Sequence, residues 1–99
     1  MYNLEQAKAI VNAEINKDFD YDDEIIIIEK SIREKPYGWI FYYQSKKYLE
    51  TDSISYALAG NAPIIFEKET GRMVELGTGR PTEEFIELYE KGEWNVYVE

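Results

Sequence analysis

Leu4, Ala7, Val11 and Ile15 recur at helical spacing, while Glu5, Asn12 and Asn16 fall on another side. The spacing predicts an amphipathic helix over Asn3 to Lys17, packed on a sheet. Asn3 can cap it, and Gln6 three residues later completes a capping box. Beyond it the pattern changes period. Ile25 to Ile28 is an unbroken β-branched run, which predicts a strand covered on both faces or nearly so and running on towards Arg33. Glu34-Lys35-Pro36-Tyr37-Gly38 carries the Pro and Gly of a turn. Trp39 to Gln44 then alternates: Trp39, Phe41 and Tyr43 face one way, Ile40 and Tyr42 the other. The two strands predict a hairpin.

The stretch from Lys46 to Asn61 is the weakest in pattern. Tyr48 and Leu49 extend the strand on this reading, and Thr51 to Asn61 is a loop with a short helical turn around Ser53 to Ala59. Pro63 to Lys68 and Arg72 to Leu76 predict a second hairpin, joined by Glu69-Thr70-Gly71 with a positive φ at Gly71. Gly77 to Arg80 breaks the strand. Pro81 to Lys91 predicts a helix, with Pro suited to its first turn and Gly92 to its end. Its inner side gathers Phe85, Ile86, Leu88 and Tyr89; its outer side carries Glu83, Glu84, Glu87 and Glu90. Trp94, Val96 and Val98 alternate with Asn95 and Tyr97, as in a last short strand. The sum is an α+β domain: an N-terminal helix, an antiparallel sheet of four to five strands, and a C-terminal helix packed on one face.

Length makes this one domain over residues 1–99, since 99 residues bury a single modest core. An apolar fraction of 44% suffices for the chain to fold alone. Cys is absent, which removes disulfides and thiolate chemistry and favours the cytoplasm. The first ten residues lack the basic start and apolar run of a signal peptide. The run Ile25 to Ile28 falls far short of the roughly 20 apolar residues that span a bilayer. Twenty acids against 11 bases give a net charge of −9, which argues against nucleic acid or an anionic membrane as partner. The same charge steers the chain towards a basic partner or serves solubility alone.

The chemistry left to such a chain is narrow. His is absent too, so neither the commonest general base nor a Ser-His-Asp or Cys-His triad is available. Twenty acids make carboxylate pairs by chance, so no glycosidase pair stands out. The reading is no catalytic residue, no cofactor and no metal. Asp18 to Glu24 is carboxylate-rich but lacks the Gly and the final Glu of an EF-hand loop, and reads as a solvated turn. Leu76-Gly77-Thr78-Gly79-Arg80 precedes a helix, but no Lys-Ser/Thr follows, and Glu83 and Glu84 would repel a phosphate. Candidate partner-binding residues are the acidic stripe Glu83, Glu84, Glu87 and Glu90, with Tyr42 and Tyr48 from the tyrosine cluster, each weighed against a solvated face or core packing. Trp39, following a Gly, reads as core.

Several stretches in order carry a resemblance: the helix from Leu4, Tyr37-Gly38-Trp39 leading to Phe41-Tyr42, and Ala59-Gly60-Asn61-Ala62-Pro63-Ile64. Thr70-Gly71, Leu76-Gly77-Thr78, and Pro81 before a Tyr-containing acidic helix continue it. Over nearly its whole length the chain resembles the immunity protein 35 family, also described as YrhB-like domains. The resemblance implies an α+β immunity protein, encoded beside a polymorphic toxin of bacteria, that protects its producer by binding the toxin. Its Gly, Trp and Pro motifs read as fold determinants rather than as toxin contacts.

Residues and resemblance meet on an acidic, non-catalytic binding domain; the resemblance implies a cognate protein toxin as its partner, and the net charge implies a basic surface on it. The alternative is an acidic chaperone-like or stress-linked interaction domain with many loose clients. A nucleic-acid mimic would need the acids of 18–24 and 83–90 side by side. An edge strand left open at the chain's end would support a homodimer.

Overall fold

The structure is a computed structural model and describes residues 1–17, 24–52 and 62–98. The predicted turn at 18–24, apart from Glu24, and the predicted helical turn at 53–59 lie outside the described residues.

Helix α1 spans Leu4–Asn16. Its capping box is complete: the Gln6 backbone N–H donates to Asn3 Oδ1 at 2.9 Å, and the Asn3 N–H to Gln6 Oε1 at 2.9 Å. Ala7 and Val11 are buried, with Leu4, Ile10 and Ile15 half-buried around them. Asn16, on the polar side of the helical wheel, has a structural task. Its amide donates to the Ile25 carbonyl at 2.9 Å and accepts from the Ile25 N–H at 3.0 Å. A side-chain amide thereby pairs the strand edge as a neighbouring backbone would.

The first predicted hairpin exists, but in two stretches with a slip between them. Strand β1, Ile25–Ile27, pairs with β4, Tyr43–Ser45; Ile25 stands opposite Ser45. Strand β2, Arg33–Lys35, pairs with β3, Gly38–Phe41; Arg33 stands opposite Ile40. Instead of one strand from Ile25 towards Arg33, a 3₁₀ turn at Glu29–Ser31 takes up the extra residues of the first arm. The polar triplet Glu29-Lys30-Ser31 has no apolar alternation to hold it in a sheet. Glu29 instead pairs with Lys8 of α1 at 2.7 Å. The turn at 34–38 narrows to Pro36 and Tyr37, because Arg33 to Lys35 are strand. Trp39 to Gln44 is likewise divided at Tyr42, where the second arm leaves one partner strand for the other.

Strand β5, Ile64–Glu67, and β6, Met73–Glu75, form the second hairpin. Gly71 has φ +75°, as its loop position requires. The main sheet is antiparallel in the order β2-β3-β5-β6, with β1-β4 a two-stranded extension. Alternation sorts the side chains between two cores. Trp39, Phe41, Ile64 and Phe66 meet α1 on one face. Ile40, Ile65, Val74 and Leu76 meet Phe85 and Ile86 on the other. Each large side chain so buried contributes about 1.5–3 kcal/mol. Gly38 is fixed by close approach: a Cβ there would lie 1.8 Å from the Phe66 carbonyl oxygen. That contact gives the Gly-Trp pair its structural meaning.

Tyr48 and Leu49 do not extend the strand. Lys46–Thr51 is helix α2, because the buried Ser45 caps it, its Oγ accepting from the Tyr48 N–H at 3.2 Å. Helix α3, Thr82–Glu90, ends in a Schellman motif, with Glu93 N–H on the Leu88 carbonyl at 2.8 Å and Gly92 N–H on the Tyr89 carbonyl at 3.0 Å. The last segment then returns to β6. Val74 bridges Tyr97, Glu75 N–H donates to the Val96 carbonyl, and Val98 N–H to the Met73 carbonyl. Trp94 stacks edge-on against Phe85 at 4.9 Å and donates its indole N–H to the Glu75 carbonyl at 2.9 Å. Helices α1 and α3 thus cover opposite faces of the sheet.

Candidate partner-binding surface

Strand alternation places Glu67 on the same face as Ile65, turned towards α3. Its carboxylate accepts three hydroxyls: Tyr89 at 2.6 Å and Tyr97 at 2.9 Å on Oε2, and Thr70 at 2.9 Å on Oε1. Burial works to raise this carboxyl. The hydrogen bonds from Tyr89, Thr70 and Tyr97, with the charge of Arg72, outweigh it and hold Glu67 below its ordinary value. The Arg72 guanidinium lies 3.6 Å above the centre of the Tyr97 ring.

Beside this cluster the Tyr37 and Tyr89 rings stand 5.0 Å apart, tilted by 59°. The Tyr37 hydroxyl donates to Glu90 at 2.8 Å, and Lys35 pairs with the same carboxylate at 3.4 Å. Burial first, and the neighbouring carboxylate second, push both phenols well above their ordinary value: Glu90 acts on Tyr37 and Glu67 on Tyr89. Pro36, Tyr37, Glu67, Glu69, Thr70 and Tyr89 line a groove of about 410 Å³.

The predicted acidic stripe is present on α3, and its four members divide into two kinds. Glu83 pairs with Arg33 and Glu90 with Lys35, so both tie the helix to edge strand β2. Glu84 and Glu87 are exposed, and among the described residues their carboxylates have no hydrogen-bond or ion-pair partner. Tyr42 is half-buried against the α3-side core, where Glu83 first and Tyr42 second raise Arg33 above its ordinary value. The structure therefore brings Glu83 and Tyr42 together around one guanidinium. Tyr48 stands half-buried on α2 and is a member of neither core cluster.

Sequence pattern singles out neither Glu67 nor Tyr97 as a candidate, and it offers Tyr37 only as one of the tyrosine cluster. Period-2 alternation holds a signal for the first: a carboxylate two residues after Ile65, at an inward position, requires donors from elsewhere in the chain. No spacing rule names those donors. Among the described residues no group of three acidic side chains is placed to hold a metal ion, and no helix is long and apolar enough to cross a membrane.

The sequence model for immunity protein 35 matches residues 5–89. The chain belongs to the immunity protein 35 family. A curated relative in Escherichia coli (strain K12), the uncharacterized protein YrhB, is 43% identical over 53 residues, covering 54% of this chain and 56% of that protein. The chain thus spans about half the length of the curated relative that it matches. No solved structure matches it. The family match covers both hairpins and α3 up to Tyr89, and leaves Trp94 and Tyr97 beyond its end.

Proposed function

We propose that this chain is an immunity protein that binds and neutralises a cognate bacterial toxin in the cytoplasm, without chemistry of its own. The family match over residues 5–89 carries the reading. The surface supports it. A net charge of −9 attracts a basic toxin, and Glu84 and Glu87 present exposed carboxylates on α3. Glu83 and Glu90 hold that helix in place and, with Tyr42 and Tyr48, complete the proposed contact surface. Charge of this kind acts mainly on encounter, raising association to about 10⁸ M⁻¹s⁻¹ or more at low salt.

The chaperone-like alternative needs exposed aromatic surface. Among the described residues the exposed large apolar side chains are Met1, Tyr2, Leu49 and Val96, spread over the N-terminus, α2 and the last segment. Among the described residues that scatter offers loose clients no broad apolar patch.

Co-expression with the product of the neighbouring gene is the test. Loss of that product's toxicity, together with a stoichiometric complex, is the expected result. Undiminished toxicity, or many substoichiometric clients instead of one, overturns the proposal.

A further inference from the structure

Glu67 accepts two tyrosine hydroxyls, and the surroundings of those two rings differ. Over Tyr97 lies the Arg72 guanidinium, at 3.6 Å. Tyr89 instead borders the open groove, and among the described residues no cation covers it. One half of this arrangement thus carries a cation from within the molecule, and the other half faces the groove.

The groove has the chemistry to complete that second half. Two tyrosine rings wall it, and the hydroxyl of each is engaged by a carboxylate, so the ring faces stay electron-rich and fixed in position. Glu67 forms part of its floor with lone-pair capacity left, since a carboxylate offers about four acceptor sites and three are taken here. Glu69 stands exposed at its rim, without an ion pair among the described residues. None of the six lining residues is basic. Its 410 Å³ lies near the lower end of ligand pockets, which run from about 300 to 1,000 Å³, and suits one long side chain.

We infer that the Tyr37–Tyr89 groove seats an arginine side chain of the partner protein, stacked on tyrosine and paired with Glu67 and Glu69. This deepens the toxin-binding reading and rests on it. Arginine fits better than lysine because its planar, weakly hydrated guanidinium stacks on an aromatic face and also donates to carboxylates. Arg72 on Tyr97 is the example within the same molecule.

Two measurements separate this inference from the toxin reading itself. The first needs no toxin: the isotope-labelled protein is titrated with N-acetyl-arginine amide, and with N-acetyl-glutamine amide as neutral control, and followed by NMR. Saturable shifts at Tyr37, Glu67, Glu69, Thr70 and Tyr89, present only with the arginine probe and lost in Glu69→Lys, are expected. Absence of such shifts, or shifts spread over the acidic surface and indifferent to Glu69→Lys, overturns the inference and leaves the toxin reading standing.

The second uses the neighbouring gene product. Glu69→Lys is expected to slow association by about tenfold at low salt, as reversal of a rim charge does. Glu5→Lys, with the same change of charge on α1 across the sheet, is expected to slow it far less. Equal effects of the two substitutions reduce the groove to general charge and overturn the inference. Failure of the unsubstituted protein to bind the toxin overturns the toxin reading and, with it, the identity of the arginine's owner.

Discussion

Tyr89 and Glu67 lie 22 residues apart in the chain and meet at 2.6 Å, so one hydrogen bond fastens the end of α3 to the inward face of β5. A hydrogen bond to a charged acceptor contributes more than a neutral one. Tyr89→Phe is expected to cost about 1–2 kcal/mol in urea unfolding. A stability equal to that of the unsubstituted protein would show that the hydroxyl merely exchanges this partner for water.

The same carboxylate makes stability depend on acid. Glu67 is held below its ordinary value of 4.5, and Glu90 is lowered too, by the Tyr37 hydroxyl first. A lowered carboxyl stabilises the fold in full above its unfolded pKa, and the gain disappears as pH falls through the lower folded value. Stability measured against pH should therefore fall below 4.5, and Glu67→Gln should flatten that fall.

Alkali acts in the opposite sense on the phenols. Tyr37 and Tyr89 are raised well above 10.0, by burial first. Their contribution is complete below the unfolded value and lost as pH rises through the folded one. Ultraviolet titration should show these two phenolates forming only well above pH 10.0, or together with unfolding. Titration of all nine tyrosines at their ordinary value would contradict the geometry of the groove.

Gly38→Ala places a methyl group 1.8 Å from the Phe66 carbonyl oxygen, where backbone and not a flexible side chain must give way. A loss of about 3 kcal/mol or more is expected, near the top of the ordinary range for one substitution. Arg33→Ala removes the pair with Glu83, and because that pair is exposed it should cost less than about 1 kcal/mol. Urea denaturation of the two variants side by side checks both magnitudes.

Much of the fold is legible from pattern alone. The capping box of Asn3 and Gln6, the hairpin around Gly71, and α3 between Pro81 and Gly92 each carry a local signal that the structure obeys. The division of the first hairpin does not. Four isoleucines in a row look the same whether the strand continues or stops, and the polar Glu29-Lys30-Ser31 after them carries no alternation that says where pairing resumes. Helix α2 had a signal in Ser45 and the helix-forming Lys46 to Thr51, but the aromatic alternation ahead of it pointed to strand. On the candidate surface, the acidic stripe of α3 follows from spacing. Its division into Glu83 and Glu90, paired with β2, and Glu84 and Glu87, exposed, depends on which side of the helix β2 occupies. The Glu67 cluster draws donors from a turn, a helix and the last segment, and only tertiary structure assembles such a set.

The last segment, which supplies Tyr97 to Glu67, has a consequence for biosynthesis. Residues leave the ribosome in chain order, so β5 and its carboxylate emerge before Tyr89, and Tyr97 emerges after both. A nascent chain stalled ahead of α3 would hold Glu67 without two of its three hydroxyl donors and without one wall of the groove. The cluster is therefore complete only once Tyr97 has left the ribosome, and the groove beside it only once Tyr89 has, which makes this corner of the surface the last to form during synthesis.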